Sequence, residues 1–310
     1  MTELLEVEDL VVELFDGAEW VRALDGVSFT VAPGEIVGFI GESGSGKSTA
    51  VNAVARLLPA SARGSGSIRF DGRDVLAFRQ RELARFRSEE LGMVFQDPRA
   101  SVNPVTTVGE YVTEGLRKTK RMPRAAAYAR AEQLLGEVGI AEPAQRLAEY
   151  PHQLSGGMLQ RAVIAAALST DPRLMLADEA TTALDVTRQA EIAAILRAAT
   201  RERGLGTIFI THDLELAGAL CDRICVMYRG RIVEQLPAEE LHGGARHPYT
   251  LALLRSRPSI EERMPRLPTI TAADREAFLT APAVAAGGVG GASASEASTS
   301  EASASEGGAR

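Results

Sequence analysis

Residues Gly41-Glu42-Ser43-Gly44-Ser45-Gly46-Lys47-Ser48 form one uninterrupted run of the pattern GxxxxGK[ST], and the chemistry that suits it is the binding of phosphates. The glycines let successive backbone N–H groups curl around phosphate oxygens, and a helix that follows points its positive end at the same charge. Lys47 is then placed to reach the terminal phosphates of a nucleoside triphosphate, with the Ser48 hydroxyl as a magnesium ligand and Thr49 as a helix-start residue. The alternative is a glycine-rich turn without function; the β-branched strand before the run and the helical pattern after it argue against that. The expected ligand is a purine triphosphate.

Acids, an imidazole and an amide occur where they would complete such a site. The stretch "RLMLADEATTALD" ends an apolar strand on Asp178-Glu179. In a phosphate-loop fold a carboxylate at a strand's C-terminal end reaches magnesium directly or through water, the role expected of Asp178. Glu179, just beyond the γ-phosphate, suits the orientation or deprotonation of an attacking water. Asp185 precedes an apparent helix, so helix capping and a place in the nucleotide site both stay open for it. His212 follows the strand "GTIFI", where a neutral imidazole would hydrogen-bond the γ-phosphate and hold water in line. Gln96 ends the apolar strand of "MVFQDPRA", and its amide there suits contact with the magnesium–water shell and coupling to the helical segment that follows. The segment "LSGGMLQR", Leu154 to Arg161, has no group suited to acid, base or nucleophilic chemistry; Ser155, Gly156 and Gly157 offer hydrogen-bond donors at a helix start.

These residues need strands that end together and helices that begin there. The first third reads as strands, "LLEVEDLVVEL", "VSFTV" and "GEIVGFIG", broken at Asp16-Gly17 and Pro33-Gly34, with antiparallel pairing among the early ones. "STAVNAVARLL" can line a helix, and "GSIRFDGRDV" returns to a strand with a turn at Asp71-Gly72. From about Arg79 to Tyr150 the chain is mostly helical in character and reads as an inserted subdomain, after which an α/β rhythm resumes. Beyond about Thr280 alanine, glycine and serine dominate, and residues 281–310 read as a disordered tail after an extension over 256–280.

Composition bounds the possibilities. With 310 residues, 45% of them hydrophobic, most of the chain can bury a core. The formal charge of -7, from 41 acidic and 34 basic residues, makes nucleic acid a poor partner. No run of 18 apolar residues and no signal-peptide pattern is present, so a cytosolic location is expected. Cys221 and Cys225 read as small, partly buried side chains. The basic residues Arg117, Lys118, Lys120 and Arg121 read as a solvated face in preference to a contact with a partner protein.

"GESGSGKST", "VFQDP", "LSGGM", "LMLADEATTALD" and "THD", in this order, resemble the nucleotide-binding subunit of ATP-binding cassette (ABC) transporters over about residues 4 to 255. The resemblance implies an α/β P-loop NTPase of the ABC ATPase fold: a RecA-like core, an N-terminal antiparallel β subdomain and an inserted helical subdomain at about 97–170, together spanning 1–255. It also implies head-to-tail dimers with ATP and Mg2+ held between the phosphate loop of one subunit and the signature of the other. Gln96 then matches the coupling glutamine, also near the metal, Ser155, Gly156 and Gly157 the signature core, Glu179 the catalytic glutamate, Asp185 the aspartate at the dimer seam and His212 the switch histidine.

"ALDGVSF", "YPHQLSGGM" and "HPYTLALLRSRP" narrow the resemblance to ATPase subunits of oligopeptide and dipeptide importers and their nickel relatives. Expected partners are a second ABC ATPase chain, alike or different, two transmembrane permease subunits and, through them, an extracytoplasmic solute-binding protein, with the chain peripheral on the cytoplasmic face of the membrane. An exporter ATPase or a regulatory cassette is the alternative. Three departures stand out. Ala180 occupies the place of a proline usual after the glutamate, Phe15 and Trp20 bracket the expected adenine-stacking position, and with no cysteine after Cys225 no iron–sulfur cluster is expected.

Overall fold

The computed structural model describes residues 3–180, 185–256 and 271–284. The N-terminal strands β1 (Leu5–Phe15) and β2 (Trp20–Val31) form a hairpin, followed by β3 (Ile36–Ile40), all of whose residues are buried. Next come α1 (Lys47–Val54), β4 (Arg63–Phe70) and the short β5 (Arg73–Asp74). The turn between β4 and β5 uses Asp71 and Gly72, at φ of 52° and 72°, the left-handed pair that a tight hairpin requires. Sheet order β2-β1-β4-β5 makes an antiparallel layer.

The middle of the chain contains α2 (Gln80–Arg85), β6 (Leu91–Val94), α3 (Pro98–Ser101), α4 (Val108–Lys118), α5 (Arg124–Glu137), α6 (Pro143–Arg146) and α7 (Gly156–Leu168). Capping fixes where α4 begins: Thr107 accepts from the Glu110 amide while the Glu110 carboxylate accepts from the Thr107 amide. The chain then alternates through β7 (Leu174–Asp178), α8 (Val186–Arg203), β8 (Gly206–Ile210), α9 (Leu214–Leu220), β9 (Arg223–Tyr228) and β10 (Arg231–Pro237). It closes with α10 (Pro248–Arg255) and α11 (Ala272–Thr280). The second sheet has the order β10-β9-β3-β8-β7-β6, parallel from β9 to β6 with β10 antiparallel at one edge. The apolar strand expected just before Gln96 is β6, which joins this sheet before the helical insertion begins.

Side-chain alternation divides the core in two. In β7, Leu174 and Leu176 pack with Val37 and Phe39 of β3 and Ile208 and Ile210 of β8 against α1 and the antiparallel layer. Met175, Ala177, Ile36, Ile40 and Phe209 point to the opposite face, toward α7, α8 and α9. Covering a parallel sheet on both faces is why these strands are nearly continuous in apolar residues.

The expected tail boundary at Ala281 falls too early. Val284 pairs in parallel with Glu234, its N–H donating to Val233 O (2.9 Å) and its carbonyl accepting from Gln235 (2.8 Å). That pairing covers part of an exposed strand edge. Before it, α11 places Phe278, 3% exposed, against Tyr228 and Tyr249. The rest of the expected tail, 285–310, and residues 257–270 of the extension lie outside the described residues, as do Thr181 to Leu184 of "ADEATTALD".

Phe278→Ala is expected to lower unfolding free energy by about 3 kcal/mol, the cost of emptying a buried aromatic site. Urea titration checks this; an unchanged midpoint would mean that α11 contributes nothing to the core.

Candidate functional site

The phosphate loop leaves β3 at Ile40 and turns into α1 through Gly41, Gly44 and Gly46, whose φ values of 145°, 78° and 106° are rarely open to residues with a Cβ. At Gly41 a Cβ would lie 2.2 Å from Met227 O, and at Gly46 2.9 Å from Ala23 O, so the loop runs tight against β9 and β2. Gly230, in the turn after β9, donates to Ser45 O (2.9 Å) and accepts from the Asp25 amide (2.8 Å), which ties the loop to both strands. No side chain caps the N-terminus of α1. Its first N–H groups are donors suited to phosphate oxygens, and Ser48 and Thr49 stand in that first turn.

Lys47 is only 5% exposed. Its ammonium donates to Gly41 O (2.9 Å), Glu42 O (2.8 Å) and Ser45 Oγ (3.3 Å). Burial pushes its pKa down, and the carboxylates of Glu179, Asp178 and Glu42 oppose that shift. Ser48 Oγ donates to Asp178 Oδ1 (3.1 Å), bringing the loop to the end of β7. Burial lifts Asp178 above the usual carboxylate range, helped by the charge of Glu179 and opposed by Ser48 and Lys47. Two hard oxygen donors beside a phosphate loop fit Mg2+, which keeps waters and substrate phosphates as its other ligands.

Parallel adjacency of β6, β7 and β8 aligns three further groups at their C-terminal ends. Gln96 follows β6, Glu179 follows β7 and His212 follows β8. Gln96 Nε2 donates to Glu179 Oε2 (2.7 Å), and His212 Nδ1 lies 4.0 Å from the same oxygen. Glu179 has a left-handed φ of 48°, and its N–H donates to Ile210 O (3.1 Å), turning the chain out of the sheet at this residue. A cleft of about 560 Å³ is lined by Ser43, Gly44, Gly46, Lys47, Ser48, Thr49 and Glu179, together with Val21, Arg22, Ala23, Arg229 and Gly230. Phe15 and Trp20 pair with each other across the hairpin (5.5 Å between centroids), and neither ring lines this cleft.

The signature residues occupy a different place. Ser155 caps α7, its Oγ accepting from the Met158 amide (3.3 Å); Ser155 and Gly156 are exposed, while Gly157 is buried beneath Arg188. Ser155 and Gly157 line a second cavity of about 310 Å³ with Arg146, Arg161, Arg188 and Glu191. Asp185 caps α8, accepting from the Arg188 amide (3.0 Å) and pairing with its guanidinium (3.2 Å). The capping half of the two readings open for Asp185 is therefore its role within one chain.

Sequence reasoning assigned no role to Val21, Arg22, Ala23, Arg229 or Gly230, which reach the cleft only through the pairing of β2, β9 and β10. It also missed Tyr249, whose Oη accepts the Glu42 amide (2.9 Å). "HPYT" was the available signal, but nothing in its spelling points to a partner in the phosphate loop.

A family model described as ABC transporter matches residues 24–182. The oligopeptide transport ATP-binding protein OppD of Mycobacterium tuberculosis is 45% identical over 262 residues, 84% of this chain and 43% of that protein. OppD of Bacillus subtilis is 43% identical over 263 residues, covering 84% of this chain and 74% of that protein. The chain thus spans less than half the length of the mycobacterial relative. Among solved structures, the ATP-binding cassette MJ0796 in a dimeric post-hydrolysis state with ADP and Pi superposes with a TM-score of 0.68 at 29% identity, covering 76% of this chain and 99% of that one. CbiO1 of Clostridium perfringens, part of the transporter complex cbiONQ, gives 0.68 at 28% identity over 79% of this chain and 92% of that one.

Gly41→Ala and Gly44→Ala separate close packing from backbone strain. Gly44 has open space around it, so alanine there should cost only about 1 kcal/mol for its left-handed backbone. Gly41→Ala should cost about 3 kcal/mol and reduce triphosphate binding at least about tenfold, because the carbonyl of Met227 cannot yield. Chemical denaturation and nucleotide titration of the two variants check this; equal effects would refute the close-packing argument.

Proposed function

The chain belongs to the ABC transporter family, and from that premise we propose that it is the ATP-hydrolysing subunit of an importer for di- or oligopeptides. The observation that carries the reading is that Glu179 lines the same cleft as Lys47 and Ser48, so a base and a phosphate cradle face one space. ATP would bind with its phosphates against the loop N–H groups and the N-terminus of α1, and the Lys47 ammonium would exchange loop oxygens for phosphate oxygens. Ser48 and Asp178 would hold Mg2+, which when bound neutralises phosphate charge.

Hydrolysis needs water in line with the bond from the γ-phosphorus to the bridging oxygen. Glu179, held by Gln96, is the group suited to accept the water proton as the new P–O bond forms and the bridging bond breaks, releasing ADP and phosphate. His212 supports the same water or the γ-phosphate from the neighbouring strand end. The link between Gln96 and Glu179 also gives the helical insertion, which starts at the next residues, a direct contact with the reacting group.

Ser155, Gly156 and Gly157 offer donors, but Ser155 and Gly157 line a cavity apart from the phosphate loop, which supports completion of the site by the signature of a second ATPase subunit, and Asp185 at the start of α8 would face that seam. Among the described residues no helix is long and apolar enough to cross a membrane. Two separate permease subunits, fed by an extracytoplasmic solute-binding protein, would supply the pathway, with this chain bound at their cytoplasmic side. The peptide assignment rests on likeness to the two OppD proteins, and an exporter ATPase is the reading it displaces.

Glu179→Gln should leave ATP binding intact, lower steady-state turnover about a hundredfold or more, and trap an ATP-dependent dimer with the cognate partner. Phosphate release and analytical ultracentrifugation are the measurements; turnover near that of the wild type would remove Glu179 from the mechanism. For the cargo, ATPase activity in vesicles holding the permeases should rise with a peptide-loaded binding protein on the opposite side, and no rise would reopen export.

A further inference from the structure

Tyr249 stands 207 positions after the phosphate loop yet touches it: the Glu42 N–H donates to its Oη at 2.9 Å. That N–H belongs to the peptide unit whose carbonyl, Gly41 O, accepts from the Lys47 ammonium at 2.9 Å. One peptide plane is therefore gripped from both ends, by Tyr249 on one side and Lys47 on the other. Gly41, at φ 145°, has no side chain to restrict its own rotation, so the orientation of this plane depends on outside partners.

The tyrosine is itself held firmly. It is fully buried, with its ring 4.4 Å from that of Tyr228 and 5.4 Å from that of Phe278. Its amide donates to His247 Nδ1 (3.2 Å), and Glu234 Oε1 accepts from the amides of Arg246 (2.7 Å) and His247 (3.2 Å). Val284 pairs alongside Glu234. The support of this one hydroxyl thus runs through β10, α10 and α11.

We infer that Tyr249 is a positioning residue for nucleotide binding: its hydroxyl oxygen pins the Gly41–Glu42 peptide, and through it the Lys47 ammonium, while the C-terminal segment to Val284 forms its socket. The inference rests on the reading of the phosphate loop as an ATP site. A residue that only filled space would be replaced by phenylalanine without effect on the loop. A lost hydrogen bond instead frees the peptide to rotate and disperses the ammonium that phosphate must meet.

The test compares the full-length wild-type chain with Tyr249→Phe, which keeps the ring and removes the oxygen. Expected are about five- to tenfold weaker binding of magnesium ATP, the loss of one part-buried hydrogen bond, with a slightly lowered thermal midpoint and unfolding that stays cooperative. Hydrogen exchange should accelerate at the Glu42 amide and stay unchanged in β1 and β2. Phe278→Leu, acting through the socket, should weaken ATP binding in the same direction by a smaller factor. Wild-type affinity together with a protected Glu42 amide in Tyr249→Phe overturns the inference, as does a loss of affinity accompanied by faster exchange throughout the chain. Should Tyr249→Phe fail to fold, the nucleotide-free wild type decides: a slowly exchanging Glu42 amide supports the inference and a rapidly exchanging one overturns it. A wild-type chain that bound no ATP would instead overturn the nucleotide reading on which this one rests.

Discussion

The buried ammonium of Lys47 is the interaction around which the rest of the site is arranged. A cation taken out of water must be paired or fully hydrogen-bonded, and here two loop carbonyls and a serine hydroxyl supply the bonds while Asp178 and Glu179 supply opposing charge. Those carbonyls turn inward only if Gly41 adopts its unusual backbone angle. That angle in turn requires the absence of a Cβ where Met227 O approaches. The glycines of the loop are thus a consequence of burying a charge beside β9, as much as a means of wrapping phosphate.

The carboxylates show the same dependence from the other side. Leu174, Leu176, Met175 and Ala177 anchor β7 on both faces of the sheet, so Asp178 emerges at a fixed height, within reach of Ser48. Its neighbour cannot continue as strand. Glu179 takes a left-handed turn while its amide still bonds to β8, and the side chain meets Gln96 from β6. Three parallel strands and one backbone reversal are enough to gather an acid, an amide and an imidazole. None of them is drawn there by a strong local preference, which is the general logic of sites at the C-terminal ends of parallel sheets.

Contiguous chemistry was legible in the sequence, and chemistry assembled by pairing was not. The phosphate loop, Asp178-Glu179 and the cap at Asp185 each declare themselves within a few residues, because strand, turn and helix signals are local. The register that brings Val21, Arg22 and Arg229 to the cleft depends on which strands become neighbours, and β2 and β9 lie far apart in the chain. The aromatic question at Phe15 and Trp20 stayed open for the same reason: their cross-strand pairing and the Arg63 guanidinium 3.7 Å from the Trp20 ring are tertiary facts. Reading the chain beyond Thr280 as tail from its composition misplaced a boundary, because alanine and proline at 281–283 say nothing about the strand edge that Val284 meets.

Two helix N-termini with opposite treatment explain how acids and donors come to be divided along the chain. At α1 the residue before the helix is a left-handed glycine and no side chain accepts from the first turn, so those donors are kept for an anion brought from outside. At α7 Ser155 is itself the cap, but its contact with the Met158 amide is long at 3.3 Å and solvent-exposed, so the hydroxyl can be redirected at little cost. Gly157 lies beneath Arg188, whose carboxylate partner is Asp185 at the start of α8. A serine and glycines thus leave backbone and hydroxyl donors at the start of α7, while Arg146, Arg161 and Arg188 outnumber Glu191 in the cavity beside it.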